Sequence, residues 1–279
     1  MSEQQQSPVT PEEVTVPESV SDRIDTTRPH SARFWNYFVG GKDHYEVDRE
    51  IGDQIKELFP GLVDVAMAGR QFLRRSVRHL VEERGIRQFL DIGTGLPTAD
   101  NTHQVAQSLA PDARIVYVDN DPLVLAHARA LLTSTPEGRT DYLDADLYQP
   151  GAILAEAAKT LDLDKPVALM LLSILGHAGD FGRARDVVGE LMAALPSGSH
   201  LVVYDASRTS EGIIAAEKAY TESGAVPYHV REPAEIATLF DGLQWVEPGF
   251  VRLSEWHPDA ESATLPVDVD AFGGVGYKA

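Results

Sequence analysis

The chain has 279 residues, 43% hydrophobic and 24% charged, a composition typical of a globular protein with one large domain. The absence of cysteine excludes disulfides, thiol nucleophiles and thiolate metal sites. A formal charge of −19 repels phosphate backbones, so we expect no nucleic-acid partner. No apolar run reaches the roughly 20 residues that cross a bilayer, and no export signal is visible, so we expect no membrane partner and a cytoplasmic location.

The predicted elements begin after a polar, proline-containing arm. Residues 1–28 have few large apolar groups and are predicted to be disordered. An aromatic-rich segment with a Gly40-Gly41 break follows, and two stretches with apolar residues every three or four positions run from there to Gly85. We therefore predict a helical N-terminal extension over residues 29–85 that serves as a lid.

One helix of this extension carries four arginines at helical spacing, Arg70, Arg74, Arg75 and Arg78. Such a cluster can bind a polyanion, but two glutamates follow one turn later. We interpret these arginines as a solvated helix face.

From Arg87 onward, short apolar runs alternate with helical segments. The runs are QFLDI, RIVYVD, TDYLDAD, VALMLLS, HLVVYDA, LQWVE and GFVRL. Runs that are apolar throughout suit strands buried on both faces of a parallel sheet, and the alternation implies right-handed crossovers. Only Pro248-Gly249 separates the last two runs, so we predict that they pair antiparallel at one edge. The sequence predicts an α/β fold with a doubly wound sheet over residues 86–279.

The ends of the first three runs carry the residues that point to a ligand. Asp91, Gly93 and Gly95 lie at the first strand–helix turn, where glycine lets backbone approach a ligand closely. Asp119 closes the second run, and a carboxylate there can accept both hydroxyls of a ribose. Asp146 ends the third run, where a carboxylate can accept from an adenine amino group. Each residue alone has an ordinary role in a turn, cap or loop, but three matches at consecutive strand ends predict a nucleoside site.

The turn after the first run distinguishes between adenosine ligands. A dinucleotide needs a third glycine near its pyrophosphate, whereas this chain has Leu96-Pro97 in that stretch. Asp91 would also repel a diphosphate. With a cationic ligand this repulsion is absent, because the Asp91 carboxylate can meet an α-ammonium group directly or through water. These features favour S-adenosylmethionine as the cofactor.

The motifs FLDIGTGLPT, VYVDNDPLVLAHARALL and DADL together resemble a bacterial family of S-adenosylmethionine-dependent methyltransferases. The segments ARFWNYFVGGKDHYEVDR, GRQFLRRSVRHL, PSGSHLVVYDAS and GLQWVEPGFVRLSEWHPD are similar to further blocks of that family. The resemblance covers about Ser31 to Pro258. Trp35-Asn36 and His44 depart from the family's usual residues, in a part of the chain that bears on the acceptor rather than on the cofactor.

The resemblance implies a Rossmann-like class I methyltransferase sheet with strand order 3-2-1-4-5-7-6, in which the seventh strand is antiparallel. It also implies a role for each cofactor residue. Gly93 and Gly95 would line the methionine portion, and Asp119 with Asn120 would meet the ribose. Asp146 with the Leu147 backbone would meet adenine.

The acceptor side is marked by fewer signals. Ser173 ends the fourth run and can contact the amino-acid end of the cofactor, and His177 is the nearest candidate for a general base, although a packing role is the favoured interpretation. Candidates for the lid and the acceptor contacts are Arg33, Trp35, Tyr37, Gly41, Lys42, Tyr45, Asn101 and His103. The aromatic residues among them can stack on an acceptor or instead anchor the extension. Because the histidines show no metal-like spacing, we expect no required metal.

Two functions fit these patterns. The first is a methyltransferase that uses S-adenosylmethionine to modify a small-molecule acceptor. The second is a non-catalytic protein that binds S-adenosylmethionine or S-adenosylhomocysteine and regulates another process, an alternative that the scarcity of acid–base residues leaves open. The sequence does not indicate an oligomeric state.

Overall fold

A central eight-stranded sheet organises the part of the chain that the structure describes, with helices against both faces. The computed structural model describes residues 24–131, 133–260 and 264–279, so most of the predicted disordered arm lies outside the described residues. The strands are β1 (Gln88–Ile92), β2 (Arg114–Asp119), β3 (Arg139–Asp144), β4 (Ala168–Leu172), β5 (His200–Ala206), β6 (Gln244–Trp245), β7 (Val251–Arg252) and β8 (Ala271–Tyr277). The helices are α1 (Ser31–Phe38), α2 (Glu46–Leu58), α3 (Leu62–Glu82), α4 (Thr102–Leu109), α5 (Pro122–Leu131), α6 (Pro150–Ala157), α7 (Phe181–Ala194), α8 (Glu211–Glu222) and α9 (Pro233–Ala237).

The strand order is β3-β2-β1-β4-β5-β8-β6, and β7 also pairs with β8. Strands β1 to β5 are parallel, whereas β8 runs antiparallel to β5, β6 and β7. The predicted Rossmann-like class I methyltransferase sheet is confirmed. Its antiparallel strand is β8, which lies between β5 and β6.

The predicted pairing of the last two apolar runs with each other is wrong. These runs form β6 and β7, which have two residues each and both pair with β8. The sequence of β8, AFGGVGY, does not read as a strand because glycine weakens strand interiors. Its glycines are explained by close packing: a Cβ on Gly273 would come within 2.7 Å of Tyr204 Cβ and within 2.9 Å of the Val203 carbonyl oxygen.

Side chains alternate between two apolar cores along each strand. On one face, Phe89 of β1 packs in the core formed with α1 to α4 and α8, whereas Leu90 faces the core formed with α6, α7 and α9. Because this alternation has a period of two, Asp91 lies on the same face as Phe89, under α3. The pleat of β1 therefore decides which helix lies opposite its carboxylate.

Buried charges join the helices of the N-terminal extension. The Arg33 guanidinium lies 2.9 Å from Asp48 in a pair that is almost fully buried, and Asp48 also accepts from the backbone amides of His30 and Tyr45. His30 in turn lies 2.9 Å from Asp121, just before α5. The extension is thus tied to the sheet region by specific polar contacts. Within the described ranges, no helix has the length and apolar character that a membrane crossing requires.

Candidate active site

A cavity of about 370 Å³ opens at the carboxyl ends of the parallel strands, beneath α1 and α3. Its volume falls within the roughly 300–1,000 Å³ range of small-molecule sites. The predicted residues that line it are Trp35, Asp91, Gly93, Gly95, Asn101, Asp119, Asn120, Asp146, Leu147, Ser173 and His177. The structure therefore brings together the side chains at the ends of four consecutive strands.

The turn after β1 requires glycine for two physical reasons. Gly93 and Gly95 have φ angles of 77° and 67°, which side-chain-bearing residues adopt at a cost. A Cβ on Gly93 would come within 2.5 Å of Ile174, so this residue also packs too closely for any side chain. At Gly95 no atom lies within 4 Å of such a Cβ, and the bare backbone borders open cavity.

Asp119 is held in place by the backbone around it. Its Oδ2 accepts from the Gly95 amide at 2.9 Å and its Oδ1 accepts from the Asp121 amide at 3.0 Å. Burial raises the pKa of Asp119, although these two amides oppose the shift. Each oxygen keeps acceptor capacity for a further donor in the cavity. The arrangement suits a pair of ligand hydroxyls.

Asp91 is a buried carboxylate with 4% of its surface exposed. Thr102 Oγ1 donates to its Oδ2 at 2.7 Å. Burial raises the pKa of Asp91 to about 6, and the nearby charge of Asp119 acts in the same direction, against Thr102 and Arg70. A cationic group in the cavity would stabilise the ionised form.

Arg70 is a cavity residue that the sequence analysis missed. Its guanidinium donates to the carbonyls of Ala99 and Asp100 and lies close enough to Asp91 to lower the pKa of that carboxyl. The interpretation of the arginine cluster as a solvated helix face is therefore wrong for Arg70. It is also wrong for Arg75, which is 5% exposed and donates to the Trp256 carbonyl. A signal was present, since Arg70 follows Ala66 by four positions on the apolar stripe of α3.

The far end of the cavity holds the exposed residues Asn120 and Asp146. Asp146 Oδ1 accepts from the Tyr148 amide at 2.8 Å, which fixes the loop after β3. Leu147 also lines the cavity and contributes apolar surface. A flat polar group can be held there between an apolar surface and a carboxylate.

Several residues predicted for the lid or the acceptor are not brought to the cavity: Arg33, Tyr37, Gly41, Lys42, Tyr45 and His103. Arg33 is engaged in its buried ion pair, and the Tyr37 hydroxyl binds Asp53 on the neighbouring helix. Lys42 is exposed to solvent. Their chemistry is used in folding the extension or faces away from the site.

The other three of these residues have structural roles. Tyr45 packs in a small apolar cluster with Leu96 and Leu123. Gly41 has no room for a Cβ beside the Asn36 side chain. His103 is 4% exposed, and both its backbone amide and its Nδ1 contact the Tyr117 hydroxyl, at 2.8 and 2.9 Å.

Asn101 reaches the cavity but is occupied as the cap of α4. Its Oδ1 accepts from the Thr98 amide at 3.1 Å and its Nδ2 donates to the Thr98 carbonyl at 2.7 Å. Its own amide donates to Gln104 at 2.8 Å. The side chain therefore shapes the loop between β1 and α4.

His177 borders the cavity from the turn after β4. Its Nδ1 lies 3.0 Å from the Pro227 carbonyl, which can only accept, so Nδ1 carries the hydrogen and Nε2 carries the lone pair. Burial lowers the pKa of His177, and the ring edge meets Tyr228 at a centroid distance of 5.1 Å. The ring is thus neutral and fixed.

A polar network that sequence reading missed lies behind Ser173. Ser173 has a φ of 60°, and its Oγ lies 3.1 Å from the Tyr228 hydroxyl. That hydroxyl donates to Asp205 at the end of β5 at 2.8 Å. Burial raises the pKa of Asp205 to about 7. No local motif marks Tyr228, which approaches from a loop beyond α8.

An apolar recess of about 40 Å³ adjoins the cavity. Ser31, Trp35 and His177 line both spaces. Most of the remaining recess residues are apolar or aromatic, namely Phe34, Ile55, Leu62, Ala206, Ile213, Ala216, Tyr220, Tyr228 and Val230. Among the described residues, no three His, Asp or Glu side chains are grouped so as to hold a metal ion.

The comparisons with known proteins agree with this geometry. The model of the S-adenosyl methyltransferase family matches residues 17–279. The chain belongs to the S-adenosyl methyltransferase family. It is an S-adenosylmethionine-dependent methyltransferase, and S-adenosylmethionine is its cofactor.

Solved structures support the family assignment. A DUF574 family protein from Streptomyces avermitilis is 43% identical, with a TM-score of 0.87 over 91% of this chain and 99% of that one. A methyltransferase candidate from Thermobifida fusca is 37% identical, with a TM-score of 0.82 over 94% and 98%. The mitomycin 7-O-methyltransferase MmcR, at 16% identity and a TM-score of 0.51 over 94% of this chain and 67% of that one, shares the fold. No match was found among the curated proteins.

The residues present fit the cofactor of this S-adenosyl methyltransferase. Asp91 is a desolvated carboxylate at the cavity wall, and Gly95 exposes backbone to open space beside it. S-adenosylmethionine has an ammonium group, a methionine chain and a ribose. These groups match the buried Asp91 carboxylate, the exposed backbone of Gly95 and the fixed Asp119 carboxylate.

Proposed function

We propose that this methyltransferase transfers a methyl group to a small-molecule acceptor and that the N-terminal helices close over the reacting groups. The observation that carries the proposal is the cavity in which the acids of β1 and β2, Arg70 and the aromatic residue Trp35 converge. Residues of α1 and α3 line the cavity, so a small acceptor fits this space better than a large polymer. The charge of −19 also disfavours nucleic acid.

Four side chains divide the binding of the cofactor. Asp91 pairs with the α-ammonium group, and Arg70, on the facing helix, pairs with the α-carboxylate. Asp119 accepts from the ribose hydroxyls, and Asp146 accepts from the adenine amino group. Opposite charges at the amino-acid end select a zwitterion over a diphosphate, since a diphosphate would meet the carboxylate of Asp91.

The bound cofactor supplies a methyl group already activated by a sulfonium. The protein therefore contributes mainly alignment and the exclusion of water. Leu73, Val39 and Trp35 provide apolar surface over the cavity, and the carboxylates and Arg70 fix one orientation of the ligand. Trp35 can additionally attract the sulfonium through its ring face.

The acceptor lies on the side of Trp35 and His177, where the cavity meets the apolar recess. A recess of about 40 Å³ holds a short alkyl group, since a benzene-sized guest occupies a cavity of about 150 Å³. His177 borders this side of the cavity and is one of the groups whose lone pair can face the acceptor. The acceptor class that fits is a compact molecule with a small apolar branch.

Calorimetry with S-adenosylmethionine, S-adenosylhomocysteine and NAD tests the cofactor half of the proposal. We expect binding of the first two and none of NAD. A panel of metabolites incubated with methyl-labelled S-adenosylmethionine tests the acceptor half. Label in a small molecule supports the proposal, whereas label found only in protein or nucleic acid overturns it.

A further inference from the structure

A chain of hydrogen bonds leads from the cavity wall into the protein interior. Ser173 lines the cavity, and its Oγ lies 3.1 Å from the Tyr228 hydroxyl. The Tyr228 hydroxyl lies 2.8 Å from Asp205 Oδ1. Tyr228 and Asp205 are 7% and 3% exposed. The cavity is thereby connected to a carboxylate that solvent hardly reaches.

The local partners fix the direction of the donors along this chain. The ionised Asp205 can only accept, so the single hydrogen of Tyr228 goes to it. The Tyr228 oxygen then accepts from the Ala206 amide at 3.3 Å and from the Ser173 hydroxyl. Ser173 also hydrogen-bonds the Tyr204 side chain. With its hydrogen directed at Tyr228, the Ser173 oxygen can accept from the Tyr204 hydroxyl and still offer one lone pair to a donor in the cavity.

We propose that Ser173, Tyr228 and Asp205 form a proton relay that removes the proton of a hydroxyl-bearing acceptor during methyl transfer. The inference rests on the proposed function and specifies it, because a relay of this kind is useful only for an acceptor whose attacking oxygen carries a proton. Ser173 is the member that touches the acceptor. Tyr228 and Asp205 act through it.

The step balances in atoms and charge. As the acceptor oxygen bonds to the methyl carbon, the carbon–sulfur bond breaks and its electron pair stays on sulfur. The acceptor proton passes to Ser173 Oγ, the Ser173 proton passes to Tyr228, and the Tyr228 proton passes to the Asp205 carboxylate. The positive charge on sulfur and the negative charge on Asp205 both disappear, so no new charge is left buried.

The surroundings of Asp205 support this use. Burial raises the pKa of Asp205 to about 7, against the opposing effects of Tyr228, Arg231 and the Gly176 amide. Tyr204, the neighbouring residue on β5, also faces this region, and burial raises its pKa further from neutrality. A carboxyl poised near neutral pH can accept a proton and release it again.

His177 is the alternative proton acceptor at the same cavity. Burial lowers its pKa, and the positive charges that His30 and His229 can carry act in the same direction. Protonating His177 would therefore create a buried positive charge, whereas protonating Asp205 neutralises a buried negative charge. This difference favours the relay.

The test uses 4-nitrophenol as the acceptor-like probe, bound to the full protein loaded with S-adenosylhomocysteine. Its phenolate is seen by visible absorbance, and protonation of a buried carboxyl is seen by infrared difference spectroscopy. Tyr228→Phe interrupts the relay while keeping the ring. Tyr277→Phe is the matched control, because it also removes a hydrogen-bonded hydroxyl, which donates to Gln244, and Tyr277 lines neither the cavity nor the recess.

We expect the wild type and Tyr277→Phe to show bound phenolate together with a protonated-carboxyl band that Asp205→Asn lacks. In Tyr228→Phe the apparent pKa of the bound probe should rise by at least about one unit, a tenfold lower phenolate-to-phenol ratio at fixed pH. Equal phenolate in Tyr228→Phe and wild type, loss in His177→Ala alone, or no binding of the probe would overturn the relay. Calorimetry with S-adenosylhomocysteine on each variant separates these outcomes from a failure of the proposed function, which would abolish cofactor binding itself.

Discussion

The backbone amide of Gly95 donates to Oδ2 of Asp119 at 2.9 Å, so the turn after β1 fixes the carboxylate at the end of β2. The glycine turn therefore does more than give a ligand access to backbone. It orients the side chain that is proposed to bind the ribose, so this part of the cavity depends on two neighbouring strands together.

Replacing this carboxylate should weaken the binding of the cofactor. We expect Asp119→Ala to reduce the binding free energy of S-adenosylmethionine by roughly 1.5–3 kcal/mol, the range for hydrogen bonds to a charged group. Calorimetry measures the change, with Asp186→Ala, an exposed residue of α7, as the control. Unchanged affinity in a folded Asp119→Ala protein would contradict the assignment.

Arg70 should act only on ligands that carry an α-carboxylate. We expect Arg70→Met to weaken S-adenosylhomocysteine by roughly 1.5–3 kcal/mol, because a charge-assisted hydrogen bond is lost. Methylthioadenosine lacks the amino-acid end, so its affinity should change little. A similar loss for both ligands would show that Arg70 supports the cavity rather than the carboxylate.

The affinity for S-adenosylmethionine should depend on pH through Asp91. Its pKa is raised to about 6 by burial, and the protonated form cannot pair with an ammonium group. We expect affinity to fall as the pH decreases through about 6 and to be regained above it. Asp91→Asn should bind more weakly at neutral pH and lose this dependence, as measured by calorimetry across the same range.

The two glycines of the turn should differ in their tolerance of alanine. Both substitutions introduce a side chain at positive φ, which costs of order 1–2 kcal/mol. Gly93→Ala also places a Cβ within 2.5 Å of Ile174, whereas Gly95→Ala meets open space. Urea unfolding should show the larger loss of stability for Gly93→Ala, and the reverse order would contradict the packing.

Asp205 should make the free energy of unfolding depend on pH. Its folded pKa of about 7 lies above the ordinary value of about 3.9, so the folded state holds more protons between these values. The stabilisation that Asp205 gives in its protonated form is therefore lost as the pH rises through about 7. We expect the difference in unfolding free energy between wild type and Asp205→Asn to change across this window, and a constant difference would contradict the raised pKa.

The parallel strands and the strand-end residues were accessible from sequence because they depend on local patterns, whereas the strand order followed only from the family resemblance. Apolar runs indicate buried parallel strands, and Asp91 and Asp119 lie at the ends of two such runs. The carboxyl ends of parallel strands meet at one edge of a sheet, so their convergence follows from topology. This is why all eight of the predicted cofactor residues line one cavity.

The roles of the residues in the N-terminal extension could not be predicted in the same way. Its aromatic residues and charges are distributed between core and cavity by helix packing, which sequence spacing does not specify. Arg33 looks available for a ligand until Asp48 is found against it from a different helix. Tyr228 carries no local signal either, since its partners Ser173 and Asp205 come from the ends of two other strands.

Strand β8 follows every other strand in the chain yet lies between β5 and β6. Any shortened version that stops before Ala271 would leave the hydrogen-bonding edge of β5 unpaired and would leave β6 and β7 without their partner. Until β8 is present, the unpaired N–H and C=O groups of that edge can pair with another chain, which makes versions without β8 prone to self-association. Expression tags should accordingly be attached where they do not hinder β8 from inserting.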